Sequence, residues 1–310
     1  MTHMTTLSGA GVTGCAFGTM QFGGTADLDA SAGMYAACRA AGIAHFDTAH
    51  AYTEGASERI LGRLIAPERD AIFVATKAGY TGGSGAANLR ASVETSRDRL
   101  QTDVLDMLYL HRWDDDTPLE ETFETLADLQ RKGAIRYIGV SNFAAWQVMK
   151  AQAVAAGLGT RIDAIQPMYS LVKRQVEVEI LPMAKDQEIA VFAYSPLGGG
   201  LLTGKYAMGG TGRLTDDSRY AARYAPAEMH AAADGLMALA SAMGTSAATL
   251  AVAWAAAHSA VTGPILSARS TEQLGASLDA LTFDMEPGLY REISQLFPAP
   301  PPATDRLEEA

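Results

Sequence analysis

A carboxylate, a phenol, an amine and an imidazole fall near the ends of three successive β-like runs in this 310-residue chain. Asp47 closes the run 43–47 and Tyr52 follows in the next turn; Lys77 follows the run 72–76; His111 follows the run 104–110. One polar strand end is ordinary. Four groups of different acid–base type on neighbouring strands can hold a small molecule and move a proton to or from it. Each also has a structural reading: Lys77 and Asp47 as a rim ion pair, Tyr52 as a turn tyrosine, His111 as a satisfied core histidine. A free Lys77 amine offers a third chemistry, a Schiff base with a carbonyl, as in an aldolase. More polar strand ends follow: Ser141 and Asn142 after the fifth run, Gln166 within the sixth, Tyr194 and Ser195 after the seventh.

For these groups to meet, their strand ends must share one rim. Eight β-like runs, 15–18, 43–47, 72–76, 104–110, 135–140, 164–168, 190–193 and 264–266, alternate with helical patterns. The helical patterns include 29–41, 86–100, 119–132, 144–156, 176–187, 246–258 and 271–281. This alternation predicts parallel βαβ units. Eight of them predict an α/β fold, a single-domain (β/α)8 barrel over 1–310, whose site lies at the C-terminal ends of the strands. Residues 203–225, polar, glycine-containing and basic, fall outside that rhythm and read as a long loop covering a ligand. The tail 297–310, with Pro298, Pro300, Pro301 and Pro302, reads as extended, or as lying along the barrel mouth.

Hydrophobic residues make up 48% of the chain and charged residues 19%, a balance that excludes general disorder. With 24 Lys and Arg against 35 Asp and Glu, the net charge is −11, which argues against nucleic acid or an anionic membrane as partner. No run reaches the roughly 20 apolar residues of a membrane span. The N-terminus carries no basic segment leading into an apolar core. Two cysteines, Cys15 and Cys38, do not make a disulfide scaffold, and a reducing cytoplasm is the expected compartment. No Cys/His cluster has ligand spacing, so no metal is expected. The expected partner is a small molecule; a homo-oligomer is compatible with the sequence.

In order along the chain, Phe46-Asp47-Thr48-Ala49 with Tyr52, Ala75-Thr76-Lys77, Leu110-His111, Gly139-Val140-Ser141-Asn142-Phe143 and Tyr194-Ser195-Pro196-Leu197 resemble the aldo-keto reductases. His111-Arg112-Trp113-Asp114 and the stretch 198–206 are similar to the aryl-alcohol-dehydrogenase-like and potassium-channel-β-subunit-like branches. The resemblance implies an NADP(H)-dependent reductase of aldehydes or ketones, with Asp47, Tyr52, Lys77 and His111 as its tetrad. The chemistry agrees. An alkoxide left by hydride transfer needs a proton, and a free phenol has a pKa of about 10. The Lys77 ammonium would draw that value down, Asp47 would hold Lys77 charged, and His111 would bond the carbonyl oxygen.

The resemblance further implies cofactor roles. Ser141, Asn142 and Gln166 would bind the nicotinamide carboxamide and Tyr194 would stack on its ring. Ser195, Leu197 and Gly200 would follow the pyrophosphate. Lys205, Arg213, Arg219, Ser267, Arg269 and Gln273 would meet the adenosine end. Phe22, Trp113 and Tyr80 would wall the substrate pocket. Residues 199–205 fit seven positions of a P-loop, but Tyr206 stands where the Mg²⁺-binding Ser/Thr belongs, which excludes nucleotide hydrolysis. No G-x-G-x-x-G opens a helix near the N-terminus, so no Rossmann site is expected. A slow-turnover NADP-binding, redox-sensing subunit is the remaining alternative.

Overall fold

Short strands buried on both faces require helices on both sides or a closed cylinder. The computed structural model, which describes residues 3–304 and Arg306, takes the second course. Its strands are β1 Ala16–Gly18, β2 His45–Asp47, β3 Phe73–Ala78, β4 Leu105–Leu110, β5 Ile135–Ser141, β6 Ala164–Gln166, β7 Ala190–Tyr194 and β8 Gly263–Leu266. They pair in sequence order, all parallel, and β8 returns to β1 to close the barrel. Each β-like run of the sequence is one of these strands, with ends displaced by no more than two residues.

Side chains alternate along each strand, so the register decides which residues share the interior. Gly18 pairs with Asp47 and Asp47 with Ala75. Lys77 pairs with Tyr109, Tyr109 with Gly139, and Ser141 with Gln166. Phe73, Ala75, Met107, Tyr109, Ala164, Phe192 and Ile265 form the inner packed cluster, with Met4 among them. Gly139 is fixed by close approach: a Cβ there would stand 2.3 Å from the Tyr109 ring.

The outer helices bury apolar stripes on the barrel. Helix Ala86–Leu100 buries Leu89, Val93 and Leu100 at helical spacing. Helix Ala247–Ala257 is buried almost all round, as its apolar composition demands. Among the described residues no single helix is long and apolar enough to cross a membrane. The pattern at 176–187 divides into a 3₁₀ turn, Gln175–Glu177, and a helix, Ile180–Asp186. Pro182 has no N–H to offer the Val178 carbonyl, so one continuous helix does not form.

The segment 203–225 is not plain loop. It carries helical turns at Arg213–Asp216 and Ser218–Arg223, the second capped by Asp217, which accepts from the Arg219 N–H at 2.9 Å. At the C-terminal end, Arg174 Nη1 donates to the Ser294 and Phe297 carbonyls at 3.0 and 3.1 Å. Residues 305 and 307–310 of the proline-rich tail lie outside the described residues, and none of the described tail residues lines the barrel mouth.

Candidate active site

The C-terminal rim opens into a cavity of about 1130 Å³. Asp47 lines it, 3% exposed, and is paired with Lys77, which is 1% exposed. Lys77 Nζ donates to Asp47 Oδ1, to the Thr48 carbonyl at 2.7 Å and to the Tyr52 hydroxyl at 3.3 Å. Three contacts exhaust an ammonium's three donors. Burial favours a neutral amine, but the Asp47 carboxylate and the Tyr52 oxygen outweigh it and hold Lys77 above the ordinary lysine range. A Schiff-base lysine must be neutral and unencumbered; Lys77 is neither.

Tyr52 stands edge-on to His111, ring centroids 5.9 Å apart, and both line the cavity. Burial pushes the Tyr52 phenol above its ordinary value, and Lys77 pulls against that rise without cancelling it. This corrects the expectation of a lowered phenol pKa: desolvation of the phenolate exceeds the stabilisation by the ammonium. Burial, with the charges of Lys77 and Arg112, pushes the His111 imidazole down to about 3, so the ring is neutral. Its Nδ1 is buried without a partner. An unmet lone pair costs less than an unmet N–H, which favours the tautomer with its proton on Nε2.

The turn carrying Tyr52 is backbone-strained. Thr53 and Glu54 have φ of +45° and +54°, a region β-branched residues avoid. Thr53 is held there by its hydroxyl, which donates to the Phe22 carbonyl at 2.8 Å and accepts from the Ser57 N–H at 3.0 Å. Asn142 and Ser195 also have positive φ, +58° and +61°, where β5 and β7 give way to loops at the rim.

On the other side of the cavity, Asn142 Nδ2 donates to the His111 carbonyl and to Ser141 Oγ, both at 3.0 Å. The Tyr194 hydroxyl donates to Asn142 Oδ1 at 2.6 Å. Ser195, Leu197, Gly200, Lys205, Arg213, Arg219, Ser267, Arg269 and Gln273 line the same cavity. Gly199 and Gly200 both have positive φ, and Cβ atoms there would press on Leu214, Tyr220 and Lys205 at 3.1 Å. Ser267 Oγ is buried without a partner. Arg219 is engaged by Asp217 at 2.8 Å, whereas Lys205 rests over the Tyr206 ring and Arg213 over Tyr220.

Two pocket-wall expectations fail. Phe22 is fully buried, packed on Phe17 at 5.8 Å between ring centroids, because its turn folds inward and presents Met20 and Gln21 instead. Trp113 packs on Phe143 and Trp146 at 5.2 and 5.6 Å and its indole N–H donates to Asp115, which holds it outside the cavity lining. Tyr80 does line the cavity, 4.9 Å from the His111 ring. Tyr220, Arg223 and Glu272 also line it and are not singled out by the sequence, although Tyr220 and Arg223 lie within the basic segment that is.

Residues 15–296 match the sequence model of the aldo/keto reductase family, and the chain belongs to that family. It is an oxidoreductase on a (β/α)8 barrel. It is similar to the uncharacterized oxidoreductase YrpG of Bacillus subtilis (strain 168), 33% identical, with 94% of each chain covered. It is likewise 33% identical to a probable voltage-gated potassium channel subunit beta of Oryza sativa subsp. japonica, with 92% of each covered. Among solved structures it resembles a glycerol dehydrogenase from Gluconobacter oxydans, TM-score 0.79 and 30% identity, covering 91% of this chain and 90% of that one.

Proposed function

We propose that this oxidoreductase reduces an aldehyde or ketone with NADPH, Tyr52 supplying the proton. The observation that carries the reading is the chain Asp47–Lys77–Tyr52, which runs from a buried ion pair to a half-buried phenol beside the neutral His111 at the cavity. A bound reduced nicotinamide supplies the hydride that reaches the carbonyl carbon. His111 Nε2 donates to the carbonyl oxygen and orients it. Tyr52, kept protonated at neutral pH by burial, gives its proton to that oxygen. The phenolate left behind rests beside the Lys77 ammonium until water reprotonates it.

The cavity suits a cofactor and a substrate together, since sites for drug-sized ligands alone run to ~300–1,000 Å³. Ser141, Asn142 and Gln166 offer amide and hydroxyl partners for a carboxamide. The left-handed glycines open backbone to a pyrophosphate, and Ser267 Oγ offers an unspent donor. The lining holds Lys205, Arg213, Arg219, Arg223 and Arg269 against the acids Asp47, Asp217 and Glu272, a positive balance inside a chain of net charge −11. That balance supports NADP(H) over NAD(H). Because Asp217 already engages Arg219, Lys205 is the stronger 2′-phosphate ligand.

Comparing NADPH and NADH consumption over a panel of carbonyl compounds tests the reading. Lys205→Ala should weaken NADPH selectively by about tenfold or more, the worth of a charged hydrogen bond, and Arg219→Ala by less. Both preferences should shrink as salt rises. Equal affinity of the wild type for both cofactors would remove the 2′-phosphate assignment. Tyr194→Ala should weaken NADPH by about 1–3 kcal/mol if the ring stacks on the nicotinamide. Fluorescence quenching reads this, and an unchanged Kd returns Tyr194 to a packing role.

The rice relative is named as a channel subunit, and a subunit role for this chain is the second reading: a redox-sensing subunit that holds NADP and turns over slowly. Binding of NADPH without turnover of any aldehyde in the panel would select it. The two free cysteines agree with a cytoplasmic location.

A further inference from the structure

Gln166 joins the two halves of the site. Its Nε2 donates to Asp47 Oδ2 at 2.8 Å, and both residues are 3% exposed. The other carboxylate oxygen accepts from Lys77. The Gln166 main-chain carbonyl accepts from Ser141 Oγ at 3.0 Å, and Ser141 Oγ accepts from Asn142 Nδ2. Gln166 thus bonds Asp47 through its side chain and Ser141 through its main chain, which links the Tyr52–Lys77–Asp47 set to residues proposed to hold the nicotinamide.

We propose that Gln166 is a positioning residue for proton transfer: by donating to Asp47 it keeps that carboxylate ionised, and so keeps Lys77 an ammonium beside Tyr52. The inference rests on the reading of Tyr52 as the acid. A buried ion pair has an alternative state in which the proton passes from Lys77 Nζ to Asp47, leaving a neutral amine and a neutral acid. The proton count is the same, but no positive charge then faces the phenol. A donor fixed on the second carboxylate oxygen disfavours that state, because it bonds the charged form of Asp47. Burial presses Asp47 toward protonation, and Lys77 and Gln166 oppose it. The other titratable groups around the network are His45 on β2, Tyr109 on β4, His111 just after β4, Tyr194 on β7 and Tyr220 on the 218–223 turn. His45 and His111 are both pushed down to about 3 and stay neutral. Asp47 is thus the carboxylate on which the charge of Lys77 depends.

The test is a double-mutant cycle on the full chain, with Gln166→Met and Asp47→Asn, read as kcat against pH for alcohol oxidation and as NADPH Kd. Met fills the space of Gln and offers no donor. With Asp47 present, Gln166→Met should lower kcat roughly 10- to 100-fold and move the rising limb of the profile to higher pH, the worth of one hydrogen bond to a charged group. In the Asp47→Asn background, the same change should alter kcat by less than about twofold, because no carboxylate remains to be held. Its effect on NADPH Kd, which comes from the carboxamide contact, should be the same in both backgrounds. Equal kcat losses in both backgrounds, or an unmoved limb with only cofactor affinity lost, overturns the proposal. Gln166→Asn, one methylene short of Asp47, should reproduce the shift if Met perturbs folding. Failure of the underlying reading looks different: the wild type shows no carbonyl turnover, or Tyr52→Phe retains it.

Discussion

Tyr52→Phe is expected to abolish carbonyl reduction while NADPH still binds. The ring that packs on His111 is kept, and the hydroxyl 3.3 Å from Lys77 Nζ is lost. Of the two phenols beside His111, Tyr52 and Tyr80, only Tyr52 accepts from Lys77 Nζ, and the neutral imidazole uses its N–H to orient the carbonyl. General acid catalysis is worth about 10²–10⁴-fold, and the loss should fall in kcat rather than in cofactor Kd. Turnover assays with an aldehyde panel beside fluorescence titration separate the two. Near-native kcat would end the assignment of Tyr52.

The second large effect belongs to Lys77→Met. In the wild type, burial raises the phenol pKa and the ammonium restrains the rise. Without the ammonium the pKa climbs further. The sign differs by direction of reaction. Alcohol oxidation needs the phenolate, so its rate rises with pH toward the Tyr52 pKa, and in the variant that limb moves to still higher pH. Reduction needs the neutral phenol, which is present in both proteins, yet it slows because the phenolate formed in the transition state has lost its counter-charge. Asp47 is also left as an unpaired buried carboxylate, which should cost stability. Oxidation profiles of wild type and variant decide the matter: an unmoved limb means that Lys77 does not tune the phenol.

Much of this site is legible before any coordinate. An apolar run that leads into Asp47, Lys77 or His111 is visible as a break in pattern, and those three runs with five others define the rim. What stays hidden depends on which way a side chain turns. Phe22 and Trp113 sit in rim loops, where neither period 2 nor period 3.6 applies; one ring turns into the core and the other onto Phe143 and Trp146. Helix Ala56–Ile65 escapes the pattern because its buried face includes Ser57, Glu58 and Gly62, polar or small positions that serve hydrogen bonds and close packing. Helix Ala227–Ala242 is alanine-rich and shows little contrast between faces. The Gln166–Asp47 bond joins residues 119 apart in sequence, and only barrel closure brings them together. The rise of the Tyr52 pKa is likewise illegible, since it depends on how deeply the phenol is buried.

The most direct test of the account follows the hydride. NADPH carrying deuterium at the transferring position is incubated with the wild-type chain and a reactive aldehyde, and the alcohol is examined by mass spectrometry and proton NMR. One deuterium is expected on the carbinol carbon for each NADPH oxidised, and no labelled product from Tyr52→Phe. Alcohol without deuterium, or NADPH oxidised with no alcohol formed, would contradict it.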